Sequence, residues 1–336
     1  MPSRGEAALA FRSSADGDAG STAASELEFH FIQVGQGDST LVRCPNGDRI
    51  LVDCGSHGEF DLDRVRSYLR QQLDAEDPKI DLLVVTHPDG DHYGEIEAVF
   101  EGDDDEPGIG VDRVLYVKSL AAHGESDFDD WLRDVPSSQR ENLSLSNYNV
   151  FPTRGLNVCG PEVHVSVLAA GVESSFSSTN TASIVLLIEY GWFSALLTGD
   201  ATRVTQEDIL DRFAENLEVL ESVELLKVAH HGSRATSMLT RANGTRWFDA
   251  IQPHVAVFSA AYNNTYGHPS QDVAEALEPY TIPAARHPLR FWKKKNELSS
   301  SWTVNRYRDE AMFLTATNGN FVLTTDGEYY DWTYED

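Results

Sequence analysis

Apolar and polar positions alternate along residues 27–43, LEFHFIQVGQGDSTLVR, with the two-residue period of half-buried strands. A Gly-rich turn divides this stretch into two strands. Residues 49–53, RILVD, form a short apolar strand that ends at Asp53 and runs into Cys54, Gly55 and Ser56. Residues 61–73 switch to the 3.6-residue spacing of an amphipathic helix. Residues 80–86, IDLLVVT, are a buried strand that delivers the chain into His87-Pro88-Asp89-Gly90-Asp91-His92, where Pro88 and Gly90 enforce a loop. A helix begins over 94–100, and residues 101–107, EGDDDEP, form an acidic loop. Further strands are predicted over 111–117, 162–169, 183–190, 193–198, 223–229 and 254–260, with helices over 204–219 and 271–278. The polar stretch 119–160 has no clear period and reads as an insertion. Asn318-Gly319 and Asp326-Gly327 punctuate β-rich runs over 311–334, as in a hairpin or three-strand extension. Strands alternating with helices, without an internal repeat, place the chain in the α/β class.

The 336 residues suit one large domain with extensions. Residues 1–25, rich in Ala, Ser, Gly and Asp, are predicted as a disordered segment. Residues 26–283 form the main domain, and 284–336 a basic, β-rich extension packed on it. No run of ~18 apolar residues exists and the N-terminus lacks the apolar stretch of a signal peptide, so the expectation is a soluble, cytoplasmic protein without a membrane segment. The three cysteines, Cys44, Cys54 and Cys159, are odd in number and lack CxxC spacing. This argues against a disulfide framework or a cysteine-built zinc site, and predicts small buried residues in a reducing compartment.

Charge narrows the choice of partners. A net charge of −28 repels nucleic acid except where basic residues gather. Arg286, Arg290, Lys293, Lys294, Lys295, Arg306 and Arg308 supply 7 of the 26 basic residues within one short piece, beside Phe291, Trp292 and Trp302. Basic residues interleaved with aromatics suit a track for single-stranded nucleic acid; a solvated loop pairing with the acidic surface is the alternative. The sequence names no protein partner.

The chemistry lies where apolar strands end. Asp53, His87, Asp200, His230 and, one loop later, His268 all follow buried strands, whose ends share a rim of a sheet. His87-x-Asp89-x-Asp91-His92 packs four potential ligands into six residues, which a mere capping loop does not require. Histidine with carboxylate suits zinc, manganese or iron. Asp200, in Thr-Gly-Asp, would alone read as a turn or helix cap. After a buried strand and downstream of the first motif, it reads as a metal ligand.

These residues carry a resemblance. His87 to His92 resembles the metal motif of the metallo-β-lactamase superfamily, with Asp89 where the pattern has a second histidine. THPDGDHYG is similar to the variant of ComEC-type competence proteins and their soluble relatives. VGQGDSTLV, ILVDCGS, NTASIVLLIEYGWFSALLTGDA, LLKVAHHGS, NNTYGHPS and GNFVLTTDG agree in order. The resemblance implies an αββα sandwich with two divalent metal ions, Zn2+ or Mn2+, at the open edge between the sheets. His87, Asp89 and Asp200 would hold one metal. Asp91, His92 and Asp200 would hold the other, with a histidine from His230 or His268. Superfamily members often add a histidine between the second motif and the bridging Asp; His123 and His164 are surface or strand residues instead. His230 or His231 would supply the missing ligand, or one metal would bind weakly.

Further roles follow from the same resemblance. Asp91 would orient a water whose pKa the metal lowers, and His268 or His231 would protonate the leaving alkoxide. Asn180, Ser183 and Asn264 would line the substrate. Lys227 would neutralise phosphate, with an ordinary strand-edge lysine as the alternative. Asp38 would orient the loop under the metals and Asp53 would support a ligand from behind. Asp89 adds a hard oxygen and negative charge, moving preference from zinc toward manganese.

Three functions follow. The first is a metal-dependent phosphodiesterase or nuclease acting on DNA or RNA. The second is a hydrolase of a small molecule such as a cyclic nucleotide, ester or amide, roofed by 119–160. The third is a non-catalytic metal-binding module in a DNA-uptake or defence assembly. The resemblance covers the hydrolase part of the ComEC proteins only.

Overall fold

The computed structural model describes residues 10–11, 26–56, 63–102, 107–118, 127–144, 154–173, 179–215, 220, 223–233, 243–262, 264–296, 299–302 and 306–335. Two large sheets face each other. The nine-stranded sheet runs in the order Ala10–Phe11, Tyr329–Glu335, Asn320–Thr325, Leu27–Phe31, Ser39–Arg43, Arg49–Cys54, Leu82–Val85, Val114–Val117, Arg140–Leu143. The seven-stranded sheet runs Arg154–Leu156, Val163–Ala169, Val185–Tyr190, Phe193–Leu197, Leu225–Lys227, Val255–Phe258, Met312–Leu314.

Period-two patterning decides which side chains meet. Leu27, Phe29 and Phe31 of one strand enter the layer between the sheets, joined by Phe193, Ala195 and Leu197 from the other. Phe29 and Phe193 are fully buried, with ring centroids 5.7 Å apart. Each such side chain contributes about 1.5–3 kcal/mol of transfer free energy. The opposite faces carry helices. Val65, Tyr68 and Leu69 of helix Asp63–Gln72 pack on the first sheet with Phe128, Trp131 and Leu132 of helix Asp127–Asp134. Ile209, Trp247, Phe248 and Leu277, from helices Arg203–Arg212, Thr245–Ile251 and Gln271–Leu277, cover the second. The layers are therefore helix, sheet, sheet, helix, as the resemblance implied.

Three findings differ from expectation or extend it. First, the C-terminal residues complete both sheets. Met312–Leu314 pairs in parallel with Val255–Phe258, and Asn320–Thr325 pairs antiparallel with Leu27–Phe31. Second, Cys44 and Cys159 form a disulfide, with Cα atoms 5.0 Å apart across 115 residues of sequence; only Cys54 is a free, buried thiol. This corrects the expectation of three free thiols. Spacing along the chain carries no trace of a contact between two distant strand ends, and the cysteines lend no support to a reducing compartment. Third, parts of the 119–160 stretch are edge strands: Arg140–Leu143 in one sheet and Arg154–Leu156 in the other. Residues 119–126 and 145–153 lie outside the described residues, as does the 1–25 segment apart from Ala10–Phe11. No helix among the described residues is long and apolar enough to cross a membrane.

Candidate metal centre

The site opens where parallel strands of both sheets end. Strand Arg49–Cys54 turns sharply near its end, with Asp53 at φ 59°. That left-handed turn is uncommon for a residue other than glycine, and aspartate tolerates it better than most. Here it swings the carboxylate onto the next strand. Thr86 donates from its backbone N to Asp53 Oδ1 at 2.7 Å and from its hydroxyl to Oδ2 at 2.8 Å. His92 donates from Nδ1 to the same Oδ2 at 2.7 Å. A carboxylate behind an imidazole fixes its tautomer and leaves the other nitrogen as a lone-pair donor. His92 Nε2 accordingly faces Asp200 Oδ1 at 3.3 Å.

Asp200 lies between the two sheets. Its Oδ2 is 3.5 Å from His231 Nε2, 3.7 Å from His230 Nε2 and 4.0 Å from His87 Nε2. Its backbone N donates to Ser183 Oγ at 3.2 Å, so Ser183, fully buried, holds the aspartate from below. Burial disfavours the charge on Asp200, but His231, His92 and His230 hold its carboxyl well below the ordinary range. Burial likewise opposes ionisation of Asp91, and the His231 contact at 3.2 Å overrides it, lowering that carboxyl too.

On the second sheet, His230 and His231 follow strand Leu225–Lys227 in a left-handed turn, at φ 51° and 53°. The turn presents both rings to Asp200. His231 donates from Nδ1 to Ser259 O at 2.7 Å, which again fixes the tautomer and frees Nε2. His230 Nε2 also meets the amide of Asn180 at 3.4 Å. Asp89 accepts a hydrogen bond from the Thr179 hydroxyl at 2.6 Å and stands 3.6 Å from His87 Nε2.

These residues fit a cation. His87 Nε2, His92 Nε2, His231 Nε2 and Asp200 Oδ1 are buried and lack a hydrogen-bond partner, a cost that a coordinated ion would remove. Asp38, His92, Asp200 and His231 each bring a donor atom to within 4.8 Å of the others. Imidazole and carboxylate together match a divalent transition metal.

Asp38 sits close enough to be counted with the ligands, although its sequence position suggested a supporting role. Its Oδ2 already accepts a hydrogen bond from Lys227 Nζ, which also donates to Gly199 O at 3.1 Å and lies 4.0 Å from Asp200 Oδ1. The ammonium therefore ties Asp38 to the site's floor and offsets its charge. Lys227 is 3 % exposed and faces inward, away from any phosphate arriving from solvent. Burial penalises its charge, yet Asp38 and Asp200 raise its pKa.

The remaining expected residues lie further out. Asn264 pins its own loop: its Nδ2 donates to Ala261 O at 3.0 Å and its Oδ1 accepts from His268 N at 3.1 Å. His268 does not reach Asp200. Its ring centroid is 5.5 Å from His230 and 6.1 Å from His231. Burial, with His231 and His230 adding to it, pushes its pKa down to about 3, so the ring is neutral at ordinary pH.

Of the basic segment, Phe291 is fully buried and packs in the second-sheet helical layer. Arg308 pairs with Glu278 and lies 5.5 Å over the Phe291 ring. The side chains of Lys293, Lys294, Lys295 and Arg306 lie outside the described residues.

Residues 32–155 match the metallo-beta-lactamase superfamily. The chain is 27% identical over 274 residues to ComE operon protein 3 of Bacillus subtilis (strain 168), a match covering 78% of this chain and 32% of that protein. Against Recombination protein 2 of Haemophilus influenzae it is 27% identical over 281 residues, covering 81% and 30%. Against competence protein ComA of Neisseria gonorrhoeae it is 26% identical over 256 residues, covering 76% and 30%. The chain thus spans about a third of the length of the curated relatives it matches. The superfamily match contains Asp38, Asp53 and the whole His87–His92 motif, while Asp200 and the histidines opposite lie beyond it.

Proposed function

We propose that this domain is a metal-dependent phosphodiesterase that cleaves nucleic acid, and that it works with two divalent cations, zinc or manganese. The observation that carries the reading is the meeting at Asp200 of three imidazole nitrogens, from His87, His92 and His231, all buried and without hydrogen-bond partners. The names of the relatives, competence and recombination, favour nucleic acid over a β-lactam or another small amide.

His87, Asp89, His230 and Asp200 would hold one cation, and Asp91, His92, His231 and Asp200 the other. Divalent cations there supply Lewis acidity, lowering the pKa of a water and offsetting charge on a phosphodiester. The protein's own groups do the rest. Asp91, kept ionised beside His231, accepts a hydrogen bond from the attacking water and aims it. Asp53 and Ser259 O lock the two ligand rings so that no rotamer search accompanies each turnover. Lys227 balances Asp38 and keeps the floor from accumulating excess negative charge. His268, neutral, donates an N–H to a phosphate oxygen at the rim instead of delivering a full proton.

The test is hydrolysis of single-stranded DNA and of bis(p-nitrophenyl) phosphate, with added manganese, by wild type and Asp200→Ala. Cleavage of both substrates by the wild type, lost in the variant together with metal binding measured by calorimetry, is the expected result. Cleavage of the small ester alone would move the assignment to a small-molecule phosphodiesterase. Inactivity on both with metal bound would overturn it in favour of another hydrolase or a binding module.

A further inference from the structure

Four large hydrophobic side chains are exposed among the described residues, and two of them stand on one loop beside the metal centre. Tyr262 is 47% exposed and Tyr266 is 58% exposed. Both belong to the turn that ends in His268. Over residues 264–268 that turn is braced. Asn264 staples it internally, and Trp292 closes over Gly267 so tightly that a Cβ there would meet the indole at 2.5 Å. Trp292 N also donates to Pro269 O at 2.8 Å, and its ring meets Trp302 edge-on at 5.2 Å. The tyrosines therefore sit on a braced support, where exposure is not a by-product of a floppy chain. Exposing rigid aromatic surface next to a polar centre forfeits burial energy, which a ligand would recover.

The rings also form a path. The imidazole of His231, a ligand candidate, lies 6.1 Å from His268 with planes 18° apart. His268 lies 6.0 Å from Tyr266 with planes 26° apart. Three near-parallel rings thus lead outward from Asp200 to an exposed tyrosine. Beside them, Arg290 places its guanidinium 4.1 Å from the Tyr262 ring centroid and 5.4 Å from that of Trp302. A cation on one face of an aromatic ring stiffens it and brings positive charge near. In an otherwise acidic chain, this combination of aromatic faces with a guanidinium suits a planar, electron-rich heterocycle attached to an anionic backbone.

We propose that Tyr262 and Tyr266, supported by Arg290, form a stacking subsite for the nucleobases flanking the phosphodiester held at the metal centre. This rests on the phosphodiesterase reading and adds that the substrate strand must present unpaired bases. A base within a duplex has both faces covered, so the subsite selects single strands or frayed ends. Neither tyrosine was indicated by the basic, aromatic-rich sequence of residues 284–308. The sequence signal was their position just before His268.

The test uses equilibrium binding, which needs no turnover. A short oligodeoxynucleotide carrying 2-aminopurine is titrated into the full chain, with its fluorescence quenching as readout. An abasic oligomer of equal length and charge, labelled at one end, is titrated in parallel by anisotropy. The wild type should bind the base-bearing strand more tightly and quench it. Tyr266→Ala and Tyr262→Ala should each weaken that binding by about 5- to 150-fold, the range seen when a stacking aromatic is truncated, with little change for the abasic strand. Tyr266→Phe and Tyr262→Phe should restore the preference, since stacking needs the ring and not the hydroxyl. Both sites are exposed, so truncation opens no core cavity. Equal affinity of the wild type for the two strands, or alanine variants that keep the preference, would overturn the proposal. A base preference without hydrolysis would instead remove the phosphodiesterase reading and leave the subsite standing. Hydrolysis without base preference would do the reverse.

Discussion

The two sides of Asp200 are built by different means. On the first sheet, His92 is aimed by a side chain, the carboxylate of Asp53, which also gathers Thr86. On the second sheet, His231 is aimed by a main-chain carbonyl, Ser259 O, and owes its position to the left-handed turn of His230 and His231. A carboxylate makes its imidazole more basic and so a stronger ligand, whereas a carbonyl mainly orients. One side is thus tuned by charge and the other by backbone shape. Damage to the first should appear as altered metal affinity or pH response with the fold intact. Damage to the second should appear as lost structure.

The largest effect is expected on the shape-defined side. Gly232 has φ +78°, and a Cβ there would stand 2.6 Å from the buried ring of Phe258. Gly232→Ala should cost about 2–5 kcal/mol, from overpacking added to a left-handed backbone. Urea unfolding measures it, and an unchanged midpoint would remove the distinction between the two sides. On the charge-defined side, Asp53→Asn keeps the size of the side chain and loses its charge. It should lower metal affinity about 10- to 100-fold while altering stability far less. Competition with a chromogenic chelator reads the first quantity and a thermal melt the second.

The smallest effect concerns Glu95, just after the metal motif. It is 3 % exposed, its Oε2 has no hydrogen-bond partner, and burial pushes its pKa up to about 7. A carboxyl whose folded pKa is raised binds its proton more tightly in the native state. Its contribution to stability is therefore greatest below the unfolded value of about 4.5 and is lost as pH rises to about 7. Glu95→Gln should flatten that part of the stability profile, leaving the variant relatively more stable at about pH 8 than at about pH 5. Paired denaturation curves at the two pH values test it, and parallel shifts at both would show that burial does not raise the pKa of this carboxyl.

How much of this was legible beforehand depends on how local the cause was. The strand ending at Asp53, the His87–His92 loop and Asp200 could be read because each is a short apolar run followed by polar donors, a pattern confined to a few residues. Lys227 shows the limit. Its strand alternates Leu225 inward and Leu226 outward, so the period already put Lys227 on the inter-sheet face. What the period could not supply was the partner, Asp38, 189 residues away, without which a buried ammonium would be untenable. The Cys44–Cys159 bond and the bracing of Gly267 by Trp292 were hidden for the same reason: each is a contact between distant segments. Phe291 reads as a base-stacking candidate in sequence, yet it is core. A residue's type shows what it can do, and only its neighbours show what it is free to do.

The position of strand Asn320–Thr325 has a consequence for synthesis. It lies directly against Leu27–Phe31, and Gln33 N donates to Asn320 Oδ1 at 2.8 Å across 287 residues. During translation the early strand therefore emerges with one edge open and stays so until nearly three hundred further residues have been made. Loop closure of that span is slow, and an uncovered edge beside Phe29 and Phe31 invites pairing with another nascent chain. Folding of the first sheet is in effect held open for its last arrival, so the vulnerable interval is set by the ribosome's pace as much as by the sequence around the metal site.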